Sequence, residues 1–240
     1  MVNRPVASVL LPVCLRDAWP HFREPELIRE WHGWEYDGDG LSKEIKQIYV
    51  DEARISEDHR RIHFGTHFFD FDEQAGATRV DVHRAPSAED DEWREYLPDI
   101  DEGWLSFLQQ LRFRLERHPA GARRTIFVSG TPRDATISPI QMVGLGQVVL
   151  QETGAVYGAT VGPGDALTGN LWFVSANQVG VSVDAWGDGM LIVANGPAGG
   201  PPYVASQAIL TTYGLDEQER TDLADRWTRW WSRHYEGGST

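Results

Sequence analysis

Cysteine is almost missing from this chain. Among 240 residues there is one, Cys14, so no intramolecular disulfide can form and no cluster of thiolates can hold a metal. Its apolar neighbourhood suits a buried, inert thiol. Positive charge is also scarce: 22 Lys and Arg face 36 Asp and Glu, a net charge of −14. Such a surplus repels phosphate backbones and anionic bilayers, so neither nucleic acid nor a membrane is an expected partner. No stretch approaches the ~20 uninterrupted apolar residues of a membrane span. The opening MVNRPVASVLLPV has too short an apolar run and too little flanking charge for a secretion signal, and the expected location is the cytoplasm. A G-x-S-x-G elbow, a cysteine paired with a motif histidine, and phosphate loops of either type are all missing. Gly162-Pro163-Gly164 and Gly196 to Pro202 are glycine-rich, but their prolines remove the N–H donors a phosphate cradle needs. No cofactor is implied.

Tryptophan, by contrast, is plentiful. Ten Trp in a chain that is 41% hydrophobic and 24% charged fit a well-packed core or an aromatic-lined pocket. The acidic run Glu89 to Glu92 reads as a solvated loop.

The clearest element is Asp101 to His118, where Trp104, Phe107, Leu108, Leu111 and Leu115 recur at helical spacing. Gln109, Gln110, Arg112, Arg114 and Arg117 fall mostly off that stripe, and Asp101 and Glu102 favour the N-terminal end of the helix dipole. Pro119 and Gly121 stop it. Ahead of it, Val6 to Val13 reads as a strand, and Pro25 to Trp31 as a short helix docking by Leu27, Ile28 and Trp31. Lys43 to Val50, Arg60 to Phe71 and Thr78 to His83 read as antiparallel strands, from their β-branched and aromatic content and the turn signals between them.

The segments EPELIREWHGW and GWLSFLQQLRFRLERH resemble the "proline, apolar pair, tryptophan" segment and the terminal helix of proteins similar to the activator of the heat-shock-protein-90 ATPase, within the SRPBCC or START-like superfamily. The matching segments span roughly residues 6 to 119. The resemblance implies an α+β helix-grip fold, a curved antiparallel sheet wrapped around a long C-terminal helix. It leaves activity open, because that superfamily includes lipid carriers, polyketide cyclases, ring-hydroxylase subunits and chaperone regulators.

The second half echoes the first. Arg133-Asp134-Ala135 follows a strand as Arg16-Asp17-Ala18 does, at an offset of 117, and Arg233-His234 echoes Arg117-His118 at an offset of 116. A helix is expected over Ser138 to Gln151, despite Gly144 and Gly146. Strands are expected at Ala155 to Val161, Gly169 to Ser175, Gly180 to Ala185, Met190 to Ala194 and Tyr203 to Tyr213. A closing helix, Asp216 to Tyr235, carries Leu223, Trp227, Trp230, Trp231 and His234 on one stripe. The expected organisation is therefore two tandem helix-grip domains, 1 to 120 and 121 to 240.

Candidate chemistry is sparse. His63 and His67 are the best histidine pair, but four residues along one strand separate them by ~13 Å, too far to share an ion. His21, His32 and His59 have no ligand-spaced carboxylates around them. Asp70 and Asp72 share a strand face near a turn and read as solvated. A helix-grip cavity would be bounded by Trp104, Leu108 and Leu111 on the helix, Phe64 and Phe68 on the sheet, and Trp31 or Trp34 at its mouth, with His67 as the general acid or base if one exists. The same rings could instead simply fill the space.

Three functions follow. The first is binding of a small hydrophobic molecule in that cavity. Another is a chaperone-regulator-like module meeting a protein partner through Trp19, Trp31 and Trp34. The third is a cyclase-like enzyme using Trp34, His67 or Gln109. Oligomeric state is left open.

Overall fold

Ala7–Leu11 places Ala7, Val9 and Leu11 on a buried face and Ser8 and Leu10 on an exposed one. This period of two makes it the first strand, β1. The computed structural model describes residues 4–36, 38–56, 58, 60–85, 96–118, 120–196 and 201–237. The acidic run 89–92, His59, Pro119 and the middle of the loop 196–202 lie outside them. The chain divides into two compact units, Met1–Ala120 and Gly121–Thr240.

In the first unit β1 is followed by α1 (Leu15–Ala18), a 3-10 turn, α2 (Pro25–Arg29) and α3 (Gly40–Ile45), which runs on as a π-helical stretch over Lys46–Asp51. Then come β2 (Arg54–Ile55), β3 (Arg61–Phe64), β4 (His67–Gln74), β5 (Ala77–Arg84) and the 21-residue helix α4 (Leu97–Arg117). The sheet order is β1-β5-β4-β3-β2, with every pair antiparallel. Cross-strand neighbours align in rows: Val9, Val80 and Phe71 form one, and Ala7, Val82, Phe69 and Ile62 the next. All seven are in one core with Trp104, Leu108 and Leu111 of α4, so the long helix covers this face of the sheet.

Two expectations for this unit are corrected. Lys43 to Val50 is helical, not a strand. Leu41, Ile45 and Tyr49 are spaced by four and all buried, and that single apolar face outweighs the β-branched content. Arg60 to Phe71 is a hairpin rather than one strand. Gly65, at φ +53°, and Thr66 turn the chain so that Phe64 pairs with His67. Between β4 and β5 the chain turns at Ala75-Gly76, both residues at positive φ as a two-residue hairpin demands.

The second unit repeats the wiring with more strands. It contains β6 (Arg123–Pro132), α5 (Pro139–Val143), β7 (Val156–Val161), β8 (Asp165–Val174), β9 (Gln178–Val183), β10 (Gly189–Ala194), β11 (Ser206–Tyr213), α6 (Glu217–His234) and a short β12 (Tyr235–Glu236). The order is β12-β6-β11-β10-β9-β8-β7. As in the first unit, the opening strand pairs with the last strand of the meander and a long helix follows. Ile126, Leu210, Leu191, Val181 and Leu171 form one row across five strands, buried with Leu223, Trp227 and Trp231 of α6. The helix expected over Ser138 to Gln151 is cut at Gly144, which stands at φ +101° and caps α5; a 3-10 turn at Val148–Leu150 follows. Both units thus have the α+β helix-grip arrangement, an antiparallel sheet with a C-terminal helix laid across it.

Candidate functional site

The inner face of the first sheet and the underside of α4 enclose aromatic rings in mutual contact. Trp104 lies at their centre. Phe64 stacks on it at 6.2 Å, Phe69 meets it edge-on at 4.8 Å, and Tyr49 packs on Phe64 at 4.7 Å. Phe22 and Trp31 extend the cluster. The expected lining residues Trp31, Phe64, Trp104, Leu108 and Leu111 therefore come together, all buried. Trp34 is half-buried at the edge, its ring 6.1 Å from that of Phe107. Phe68 does not join them. One residue out of phase with Phe69, it lies on the opposite face of the sheet, stacked on His83 and beneath the Arg61 guanidinium.

Two buried histidines flank Trp104. His32, 1% exposed, is delivered by the turn after α2. Its Nε2 lies 3.1 Å from Glu44 Oε1 and its Nδ1 2.8 Å from the hydroxyl of Tyr49. A carboxylate can only accept, so Nε2 carries the proton and donates to Glu44, while Nδ1 accepts from the Tyr49 hydroxyl. The Tyr36 hydroxyl donates to the other oxygen of Glu44 at 2.5 Å. Glu44 is partly open to solvent and Tyr49 is fully buried, so the line Tyr49, His32, Glu44 runs from the core to the surface. Burial, followed by the nearby Glu44 charge, pushes the Tyr49 hydroxyl well above its ordinary pKa. Burial and the hydrogen bond to Glu44 push Tyr36 up too. Burial would raise the Glu44 carboxyl, but the hydrogen bonds from His32 and Tyr36 outweigh it, and the group lies below its usual value.

On the other side of Trp104, His67 is also 1% exposed. Its Nε2 donates to Asp101 Oδ1 at 2.7 Å and its Nδ1 accepts from Thr66 Oγ1 at 2.9 Å. Arg84, the cross-strand partner of His67, donates its Nε to Asp101 Oδ2 at 3.0 Å and its Nη2 to the same oxygen. Burial raises Asp101, but the hydrogen bonds from His67 and Arg84 and the Arg84 charge bring it below its usual value. The His32 and His67 rings lie 5.9 and 6.2 Å from Trp104. Trp104 Nε1 itself is buried and meets no acceptor among the described residues.

The sequence rejects His63 and His67 as a metal pair on their distance along one strand, and the geometry that separates them is a different one. The strand-length distance fails because a hairpin separates them, yet His63 opposes Phe68 and His67 opposes Phe64, so they point to opposite faces. Asp70 is bound by Arg61 through two contacts of 2.6 and 2.7 Å. Gln109 and Gln110, expected off the stripe, are buried, as is Arg114, which lies 3.2 Å from Glu30. Two surface hollows lie elsewhere. One, of about 580 Å³, is lined by Asp51, Glu52, Arg54, His63, Gly65 and Ala85. The other, in the second unit, encloses about 390 Å³ over Leu167, Trp186 and Leu223, rimmed by Asp165, Glu219, Asp222 and Arg226.

His32, Glu44, Tyr49, Arg84 and Asp101 were not singled out from the sequence. The signal for the first three was there: once residues 40 to 51 are helical, Leu41, Ile45 and Tyr49 face the core and Glu44 sits beside that face.

Among known proteins, no family model matches the chain and no curated protein matches it significantly. The resemblance to the heat-shock-protein-90 ATPase activators finds no support there. Three solved structures are similar over nearly the whole length. DynU16, from the dynemicin biosynthetic locus, is 17% identical, covering 94% of each chain with a TM-score of 0.29. The di-domain ARO/CYC protein BexL, from the BE-7585A biosynthetic pathway, is 9% identical, with 95% of this chain and 94% of that one covered and a TM-score of 0.32. StfQ, the di-domain ARO/CYC protein of the steffimycin pathway, is 11% identical, with 94% and 91% covered and a TM-score of 0.27. Likenesses this distant bear on no question of activity. Among the described residues no helix is long and apolar enough to cross a membrane.

Proposed function

We propose that the first unit is a proton-transfer site for a small, largely apolar molecule, the cyclase-like enzyme among the three readings drawn from the sequence. The observation that carries it is the line from Tyr49 through His32 to Glu44, which joins a phenol enclosed by aromatic rings to a carboxylate at the surface. A core needs no such line for packing, since burying polar groups costs stability that apolar side chains of the same shape would not. Tyr49 is the inner end and touches the substrate. A proton leaving a substrate carbon goes to the Tyr49 oxygen, the phenolic proton passes to His32 Nδ1, and the Nε2 proton passes to Glu44. Run backwards, the same transfers protonate a leaving oxygen. With its pKa raised, Tyr49 keeps its proton at rest and acts in concert with His32, not as a standing phenolate. The ARO/CYC names of two of the similar structures belong to the same class of activity, and the proposal rests on His32 and not on them.

The test is the elimination of 5-nitrobenzisoxazole, a probe whose C3 proton goes to a base while the N–O bond breaks and its electron pair ends on a phenolate oxygen. Wild-type protein is expected to accelerate it above buffer, and His32→Gln and Tyr49→Phe, folded by circular dichroism, to remove the acceleration. Equal rates in wild type and His32→Gln would overturn the reading.

A further inference from the structure

Trp104 carries the one polar atom at the centre of the ring cluster for which the described residues provide no partner. The side chain is 5% exposed, its Nε1 lies out of reach of solvent, and no acceptor is found for it. Buried N–H groups are almost always paired, so an orphan at a candidate site points to a group that is supplied from outside. Its surroundings say what kind. The rings nearest Trp104 are Phe69, His32, His67, Phe64 and Phe107. Both histidines already direct their Nε2 protons to carboxylates, and both Nδ1 atoms already accept from hydroxyls. Around Trp104 the side chains are apolar rings or groups already paired, and its indole N–H is the donor left outstanding.

We infer that Trp104 Nε1 donates to an oxygen of the bound molecule, so that the ligand is a planar, apolar compound bearing a carbonyl. This rests on the proton-transfer reading for its setting and adds a specificity determinant to it. The donor would serve chemistry as well as binding: a carbonyl held by the indole N–H is polarised, and the C–H bonds beside it become more acidic, which suits a base at the Tyr49 end of the relay. The way in is by Phe107. Of the rings that touch His32, it is the half-buried one, its centroid 4.7 Å from His32 and 6.3 Å from Trp104. An amide or nitrile oxygen or nitrogen could take the same N–H, but a charged acceptor is disfavoured in so apolar a site.

Two probes of nearly equal shape isolate the donor: α-tetralone, which has the carbonyl, and tetralin, which lacks it. Titrated into the full chain, α-tetralone is expected to bind at least about tenfold more tightly, the worth of one hydrogen bond in a dry site. Trp104→Phe keeps the ring and loses the N–H; it should bring the two probes to parity by weakening α-tetralone alone. In wild-type protein the indole proton resonance absent from Trp104→Phe should move downfield with α-tetralone and stay with tetralin, a readout that needs only an assignment from the variant. Phe107→Ala should strengthen both probes and keep their ratio. Equal affinities in wild type, a ratio surviving Trp104→Phe, or no α-tetralone binding even to Phe107→Ala would each overturn the inference. His32→Gln separates the two proposals. If the relay reading alone is wrong, His32→Gln eliminates benzisoxazole as fast as wild type while the tetralone ratio stands; if the donor alone is wrong, the ratio vanishes while His32→Gln still loses elimination.

Discussion

The hydroxyl of Tyr49 lies 2.8 Å from Nδ1 of His32, and neither side chain is open to solvent. The bond closes two accounts at once: it gives a buried phenol an acceptor and a buried imidazole nitrogen a donor. Tyr49→Phe removes the first and keeps the ring that packs on Trp31 and Phe64, but leaves Nδ1 of His32 unsatisfied. The expected loss is about 1–3 kcal/mol of stability, set by the stranded acceptor more than by the lost bond. Urea unfolding of the variant checks it; a midpoint equal to wild type would show that water replaces the hydroxyl.

The two carboxylates that hold the histidines set a pH dependence. Glu44 and Asp101 both lie lower in the folded chain than their ordinary values, so the unfolded chain binds protons first. Their stabilisation is complete above the unfolded values of about 4.3 and 3.9 and is lost as the pH falls through the lower folded values. Stability measured by urea should therefore fall between about pH 5 and pH 3, with a shallower slope in Glu44→Gln and in Asp101→Asn than in wild type. A slope unchanged in both variants would mean that other carboxylates dominate acid unfolding.

How far the sequence led is best seen at these same residues. The terminal helices were legible because Trp104, Phe107, Leu108 and Leu111, and Leu223, Trp227 and Trp231, recur at a period only a helix can bury on one side. They start within a turn of the expected positions, except that α4 begins earlier, with Pro98 in its first turn. The strands of the second unit were legible as short apolar runs between turn residues, β9 and β10 being buried along their whole length. What failed was local. Ile45, Ile48, Tyr49 and Val50 are good strand formers, and only the burial of Leu41, Ile45 and Tyr49 on one face, with Tyr49 against Trp31 and Phe64, decides for a helix, a tertiary fact absent from the local pattern. That one misassignment hid the site, since Glu44 and Tyr49 reach His32 only from a helix. Asp101 was read for its place at a helix start, and nothing local shows that His67 and Arg84 close on it from adjacent strands.

Gly144 is a position where the backbone itself decides. It stands at φ +101°, and a Cβ there would come within 2.4 Å of the Thr160 carbonyl oxygen, a backbone atom that cannot swing away. Gly144→Ala adds both a strained dihedral and a clash, and should cost about 2 kcal/mol or more. Thermal unfolding of the variant should show a lower midpoint, whereas Gly164→Ala, also at positive φ but with open space around it, should show the dihedral cost alone. Equal losses at the two positions would mean that the chain near Thr160 yields to the new methyl group.

The closing helix α6 offers the last test, because its two ends contribute differently. At the start, Asp216 accepts from the Glu219 N–H at 2.8 Å while Glu219 accepts from the Asp216 N–H at 2.9 Å, a reciprocal cap. Asp216→Ala should cost about 1 kcal/mol, an amount the unit survives. Further along, Leu223, Trp227 and Trp231 are buried in the second core and the chain ends by pairing β12 with β6. Deleting 222–240 removes all three and the edge strand together, exposing the inner row Ile126, Leu210, Leu191, Val181 and Leu171 to water. Each large apolar side chain stripped from the core withdraws about 1.5–3 kcal/mol, a total comparable with the whole stability of a domain. The deletion should therefore abolish soluble expression, while Asp216→Ala expresses normally with a slightly lower unfolding midpoint. A well-folded, monodisperse truncation would show that the second sheet keeps its structure without the helix laid across it.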